Sequence, residues 1–359
     1  MKGLEFPIVG TKVKNLKTKF DINDPKERKK YFDAKVGEEI KYIRKYLNGG
    51  STFVAFFLGK KNSGKGTYSK LITEIFGEEK VAHVSVGDIV REMSGKWDKT
   101  FEKSDEYKHI KSLYRGYISF EEAINRFLGR STSGLLPTEF ILALLKHKIA
   151  HLTGKSIFID GLPRDMDQIS YSLYFRDLIN YRDDPDLFVL IDIPESVIAA
   201  RIKTRVVCPK CGLSRNPKLL LSSKIDYDEK AKKFYLLCDN TDCPGAERLV
   251  PKEGDELGIE PIRARLIKDE EILRKVFGLH GVPKILLRNH VPVKDALKYF
   301  DAYEITPEYI LSWDAKNKKV KVEEKPWKVK DDNGVQSNSL LAPAVVVGLI
   351  KQLYEVLEL

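Results

Sequence analysis

Two hydrophobic patterns alternate along the chain. Phe32, Val36, Ile40, Ile43 and Leu47 recur at spacings of three and four, which predicts a helix with one apolar face. Asp24-Pro25 marks its start, an N-cap acid followed by proline at the first helical position, and Asn48-Gly49-Gly50 marks its end. The run from Thr52 to Leu58 has no polar alternation, the pattern of a strand buried on both faces. A glycine-containing turn follows, then helical spacing from Tyr68 to Phe76. Val81 to Val86, Ser156 to Asp160 and Leu187 to Ile193 repeat the strand signature, with helical patterns between them. The alternation predicts an α/β fold, a parallel sheet flanked by helices.

Elsewhere the rhythm changes. Residues 1–20 read as irregular and lysine-rich. Residues 206–258 hold all four cysteines and few long apolar runs, and read as a small inserted domain. A charged helix is predicted from Glu260 to Phe277, a hairpin within the lysine-rich stretch 314–330, and a final amphipathic helix from Ala344 to Leu357. The helix within residues 1–50 is expected to pack on the core through its apolar stripe, or else to form a dimer contact.

With 359 residues, 42% hydrophobic, the chain can bury a substantial core, which excludes a disordered chain, a disulfide-stapled miniprotein and a collagen-like one. Lys+Arg is 62 and Asp+Glu 52, a formal +10, of which residues 1–50 carry +6. That balance points to anionic partners or to a solvated, mixed-charge helix face. Met1 to Lys14 lacks an apolar signal core, and Ala344 to Ile350 is too short to span a bilayer, so a cytoplasmic protein without a membrane partner is expected.

Gly59-Lys60-Lys61-Asn62-Ser63-Gly64-Lys65-Gly66-Thr67 stands between the first predicted strand and its helix. Backbone N–H groups at a helix N-terminus form an anion site, and Lys65 adds a point charge for β/γ-phosphates. The strict G-x-x-x-x-G-K-[ST] pattern is not met, since Gly66 precedes the hydroxyl of Thr67. Asp160 ends another buried strand, where an acid of a phosphate-loop protein holds Mg²⁺. Phosphoryl transfer needs positive charge on the transferring oxygens, and Arg91, Arg164, Arg201, Arg205, Arg248, Arg263 and Arg265 are the candidates.

These segments, in this order, resemble the adenylate kinase family of the long-lid type. Gly64-Lys65-Gly66-Thr67 resembles its GKGT loop, Ser85-Val86-Gly87-Asp88-Ile89-Val90-Arg91 its STGDxxR segment, and Gly134-Leu135-Leu136-Pro137-Thr138-Glu139 the close of its monophosphate-binding domain. Asp160-Gly161-Leu162-Pro163-Arg164 with Gln168 resembles DGFPR…Q; Arg201 and Arg205 match the RIxxR entering the lid, and Arg265 the arginine leaving it. The resemblance covers roughly residues 52–280, with a final strand and helix at about 327–357.

It implies a P-loop core of residues 51–84, 146–205 and 259–359, a monophosphate-binding domain over 85–145 and a lid over 206–258, with 1–50 as an extension and 281–326 as an unplaced insertion. It implies that Gly59, Ser63, Gly64, Lys65, Gly66, Thr67 and Arg201 bind ATP, and that Ser85, Val86, Arg91, Gly161, Arg164 and Gln168 bind AMP. Lys65, Asp160, Arg205 and Arg265 would be catalytic, with Arg248 a further lid arginine and Asp88 a second acid near Mg²⁺. Lys61-Asn62 replaces the family's Pro-Gly, Leu162 its Phe, and Val86 its Thr beside the monophosphate base, so Val86 leaves the choice of base open. Gln168 favours AMP, since an amide both donates and accepts.

Cys208-Pro209-Lys210-Cys211 and Cys238 to Cys243 are separated by 26 residues, a spacing that suits a structural Zn²⁺ site; free or redox thiols are the alternative. The reading is an adenylate kinase-like phosphotransferase, ATP + AMP ⇌ 2 ADP, expected as a monomer. Two alternatives stand beside it: a kinase of another monophosphate, and a zinc-ribbon nucleic-acid-binding ATPase.

Overall fold

The computed structural model describes residues 1–129, 137–173, 185–243 and 247–359. Helix α1 (Pro25–Asn48) begins where its sequence signals it: the Asp24 carboxylate accepts hydrogen bonds from the N–H groups of Lys26 and Glu27. A kink at Val36 adjoins Gly37. Strand β1 (Val54–Gly59) leads into α2 (Lys65–Phe76), and β2 (Val81–Ser85) into α3 (Val86–Lys96). Then come α4 (Asp105–Leu113), α5 (Phe120–Phe127), α6 (Thr138–Ala150), β3 (Ser156–Asp160), α7 (Gln168–Leu173), β4 (Asp186–Asp192) and α8 (Glu195–Lys203). Short strands follow: β5 (Val206–Val207), β6 (Ser214–Arg215), β7 (Ile225–Asp228), β8 (Lys233–Leu236) and β9 (Val250–Pro251). Helix α9 (Arg263–Phe277) returns the chain to the core.

Five strands form one parallel sheet. Its fifth member is β10 (Lys284–Arg288), and the order is β10-β4-β1-β3-β2. Alternate residues of β1 enter separate cores. Val54, Phe56 and Leu58 pack with α3, α4, α5, α6 and α9, whereas Ala55 and Phe57 pack with α1, α2 and the C-terminal helix. The α/β sheet with helices on both faces is the fold that the unbroken apolar runs predict.

The final sheet strand lies elsewhere than the sequence reading put it. The resemblance puts it near residue 327, but it is β10, inside the stretch 281–326; the insertion proper is the segment between β10 and the last helix, residues 289–341. The reason is length: Ile285, Leu286 and Leu287 make only a three-residue apolar run between Lys284 and Arg288. After β10 come β11 (His290–Pro292), α10 (Val293–Tyr299), β12 (Pro307–Asp314), β13 (Lys319–Pro326), β14 (Lys328–Lys330), β15 (Gln336–Ser339) and α11 (Ala342–Val356). The hairpin is β12–β13, so its first strand begins seven residues before the predicted 314, and β14 pairs instead with β15. Tyr309, Leu311 and Trp313 give β12 its alternation. Helix α11 is more apolar than an amphipathic helix needs, because its first two turns are enclosed; every residue from Pro343 to Ile350 is buried.

The extension and the insertion are fastened to each other. Buried Lys35 pairs with Asp301 at 2.6 Å, and the fully buried Glu304 accepts from Tyr31 Oη at 2.6 Å and Thr11 Oγ1 at 2.5 Å. Burial raises the Tyr31 phenol well above its ordinary range, and the Glu304 carboxylate adds to that. The apolar stripe of α1 lies in the core, as its spacing predicts. An Ile43→Ala change, at a fully buried position, is expected to destabilise the protein by about 2–5 kcal/mol. Lys41→Ala on the exposed face should stay within about 0.5 kcal/mol; guanidinium denaturation of the two variants checks both.

Candidate functional site

The phosphate loop begins where β1 ends. A Cβ on Gly59 would lie 2.6 Å from Ser63 Oγ, so only glycine lets the loop fold back this closely. Asn62 and Gly64 take positive φ values of 66° and 105°. Ser63 is fully buried, and its hydroxyl has no hydrogen-bond partner among the described residues. Gly66 faces open space, and Thr67 is exposed in the first turn of α2.

Lys65 Nζ donates to the carbonyl oxygens of Gly59 at 2.8 Å and Lys60 at 3.3 Å, and lies 3.8 Å from Asp160 Oδ1. Burial lowers the Lys65 pKa, and Asp160 opposes that shift. The parallel register sets Asp160 beside Phe57, which brings the acid to the loop. Lys65, Asp160, Gly161, Arg265 and Asp269 line one cleft. Asp269, a residue the motifs did not single out, holds this side of it. It accepts from Arg265 Nε at 2.6 Å and from the Lys61 N–H at 3.0 Å. Its i,i+4 spacing from Arg265 on α9 was the available signal.

Arg164 reaches back over Gly161, whose φ is +93° and where a Cβ would meet the guanidinium at 2.5 Å. Its Nε is buried without a partner among the described residues. Burial lowers its pKa, and Arg265 pushes it the same way. Arg91 and Arg164 both approach Gly87, within 3.5 Å and 3.4 Å of where a Cβ would stand. Arg91 itself is exposed and pairs with Asp88 on α3. Guanidinium groups gathered in this way have the chemistry to receive anionic oxygens.

The residues expected around the acceptor base have partners of their own. Ser85 Oγ caps α3 by accepting from the Asp88 N–H at 3.2 Å. Val86 is buried in the core with Ile89 and Met93. Gln168 is buried; its Oε1 accepts from the Arg164 N–H at 2.7 Å and its Nε2 donates to Thr138 Oγ1 at 3.0 Å. One amide hydrogen and one lone pair of Gln168 remain. Gly134, Leu135 and Leu136 of the resembling segment lie outside the described residues.

Arg201 on α8 donates to the Asn62 carbonyl at 3.2 Å and to Asn289 Oδ1 at 3.3 Å. Burial lowers its pKa. Asn289 also donates to Tyr68 Oη at 2.9 Å and accepts from Ser339 Oγ at 3.1 Å, which joins the loop, α2 and the insertion. The sequence reading missed it because it fell inside the unplaced insertion. Arg205 is paired in bidentate fashion with Asp255, both bonds 2.6 Å. Arg248 stacks on the Tyr235 ring at 4.4 Å. Neither Arg205 nor Arg248 lines the cleft among the described residues.

The four cysteines converge, all Sγ atoms lying within 4.8 Å of one another. Cys211 and Cys238 are 3.6 Å apart, and Cys208 and Cys243 3.9 Å. A tetrahedral Zn²⁺ with Zn–S of about 2.3 Å requires S···S edges of about 3.8 Å, so the thiols fit that ion. The Leu213 N–H, donating to Cys211, holds that thiol down to about 6. Purified protein is expected to carry one zinc per chain by elemental analysis. Cys211→Ser with Cys238→Ser should abolish it and open residues 206–258 to limited proteolysis.

Three relatives give the comparison. The adenylate kinase of Thermotoga petrophila is 31% identical over 201 residues, 56% of this chain and 73% of the relative. That of Thermotoga neapolitana is 30% identical over 233 residues, covering 65% and 87%, and that of Clostridium acetobutylicum 28% over 239 residues, covering 64% and 93%. No protein-family model matches the chain. Taken with a five-stranded parallel sheet that delivers a glycine-rich loop, a lysine and an acid to one cleft, these similarities show that the chain is a phosphotransferase of the adenylate kinase family.

Proposed function

We propose that this kinase catalyses ATP + AMP ⇌ 2 ADP. The observation that carries the reading is the single cleft in which Lys65, Asp160 and Arg265 meet, with Arg164 packed over Gly161 at its edge. The loop N–H groups and Lys65 would bind the donor phosphates, for which Lys65 exchanges its backbone carbonyl partners. Arg91 and Arg164 would clamp the acceptor phosphate, and Arg265, held by Asp269, would face the transferring group. Arg201 would lie along the donor nucleotide, fixed by Asn62 and Asn289.

No general base is assigned, because the attacking group is already an anionic phosphate oxygen. Bound to ATP and steadied by Asp160, Mg²⁺ would supply neutralising charge on the phosphate oxygens. Arg205 joins the reaction after leaving Asp255, which requires motion of the lid. The zinc-fitted cysteines make that lid a rigid body; their role is structural, since four thiolates leave no open position.

A second reading concerns the acceptor base. Val86 packs in the core and half of the Gln168 amide is engaged by Arg164 and Thr138, so neither is fully free to read adenine. A monophosphate other than AMP is therefore the alternative.

A coupled ADP-formation assay with Mg·ATP and AMP, GMP, CMP, UMP and dAMP decides between them. AMP-dependent ADP formation supports the proposal; a preference for another monophosphate moves the assignment to it, and absence of any acceptor-dependent turnover overturns both. Lys65→Met is expected to lower kcat by about 10²–10³ at unchanged thermal stability; full retained activity would remove Lys65 from the mechanism. Val86→Thr should leave the order of acceptors unchanged if the side chain stays in the core.

A further inference from the structure

The insertion after β10 touches the lid at two places and its hinge at a third. The Tyr309 N–H of β12 donates to the Lys218 carbonyl at 2.8 Å. Four residues on, Trp313 stacks on Tyr227 of β7, with ring centroids 4.7 Å apart and planes at 23°. Trp327 and Val329, just past the hairpin, pack against the cluster that contains Ile198 and Ile202 of α8 and Leu266 of α9, as do Ile259 and Ile262. These are the segments by which the chain enters and leaves the lid.

The root of the hairpin is fixed. The Thr306 N–H donates to Ser339 at 2.8 Å, and the Trp327 N–H to Thr306 at 3.0 Å. The hairpin is a separate two-stranded sheet standing on that root. A lid turning about residues near 204 and 262 moves Lys218 and Tyr227 away from their partners. The two contacts are four residues apart on one strand, roughly 13 Å at the usual strand rise, so a rotation shears at least one of them.

We propose that the β12–β13 hairpin is an intramolecular strap that holds the lid in the position described, with Trp313 restraining it through Tyr227. Resting on the kinase reading, the proposal assigns this insertion to lid control. In the strapped state Arg205 stays with Asp255. ATP must close the lid against the strap, so part of its binding energy is diverted to breaking the Trp313–Tyr227 stack. An aromatic stack of this kind shifts such an equilibrium by about three- to tenfold.

The test uses the full chain with its metal. Trp313→Ala is expected to lower the KM for ATP about three- to tenfold while the KM for AMP stays unchanged. Trp313→Phe should restore the parent value, and Tyr227→Ala, made from the other side of the contact, should reproduce Trp313→Ala without adding to it. Hydrogen exchange of residues 307–314 supplies a readout independent of turnover. The Tyr309 amide should be protected in the free protein and lose protection on adding ATP or in Trp313→Ala. An unchanged or raised KM for ATP in both alanine variants overturns the strap, and so does protection that persists with ATP bound, which would mean that the hairpin travels with the lid. Loss of the kinase reading would appear separately, as a parent protein without acceptor-dependent ADP formation.

Discussion

The site depends on how β1 is gripped. Its neighbours β3 and β4 both run parallel to it, and the register pairs Phe57 with Asp160 and Gly59 with Ile191. Parallel strands deliver their carboxyl ends to one edge of the sheet, where the following loops meet. Phe56 and Phe57 point to opposite faces and are buried in separate helical layers, so a one-residue slip would exchange the two cores. Packing thus fixes the register, and the register fixes the 3.8 Å approach of Lys65 to Asp160.

The cleft and the residues around it hold cations that burial makes costly. Lys65, Arg164 and Arg201 all have their pKa lowered by desolvation, and Arg265 adds repulsion at Arg164. Asp160 and Asp269 offset only part of this charge. Polyphosphate would meet pre-placed donors and relieve that repulsion, which is electrostatic preorganisation. Asp269 and Asn289 matter through placement, one holding Arg265 and the loop amide, the other Arg201.

The segments outside the family's span form part of the folded body. Glu304 joins residues from the start of the chain, α1 and the insertion, and Asn289 joins the insertion to Arg201. Near the phosphate loop, buried Lys60 pairs with Glu270 at 2.7 Å and Glu195 at 3.2 Å, and lies 3.5 Å from Asp332 of the insertion. The insertion therefore reaches the beginning of the phosphate loop.

Local patterns in the sequence were sufficient for much of this. The stripe from Phe32 to Leu47, the Asp24 cap, the apolar runs of β1, β3 and β4, and the strand–loop–helix around Lys65 each depend on neighbours in the chain, so spacing alone specified them. The convergence of four cysteines was likewise legible, because two close pairs can meet only by bringing the chain back on itself. Strand β10 was not legible, since three apolar residues become a strand only beside β4. Gln168 and Val86 could be matched to a motif, but their partners, Thr138 and the core under α3, are set by tertiary packing. The same holds for Arg205 with Asp255 and for Trp313 with Tyr227, pairs separated by 50 and 86 residues. Periodicity and motif spacing record what a side chain is and which local face it occupies; which distant group it meets is decided when the sheet register and tertiary packing bring those faces together.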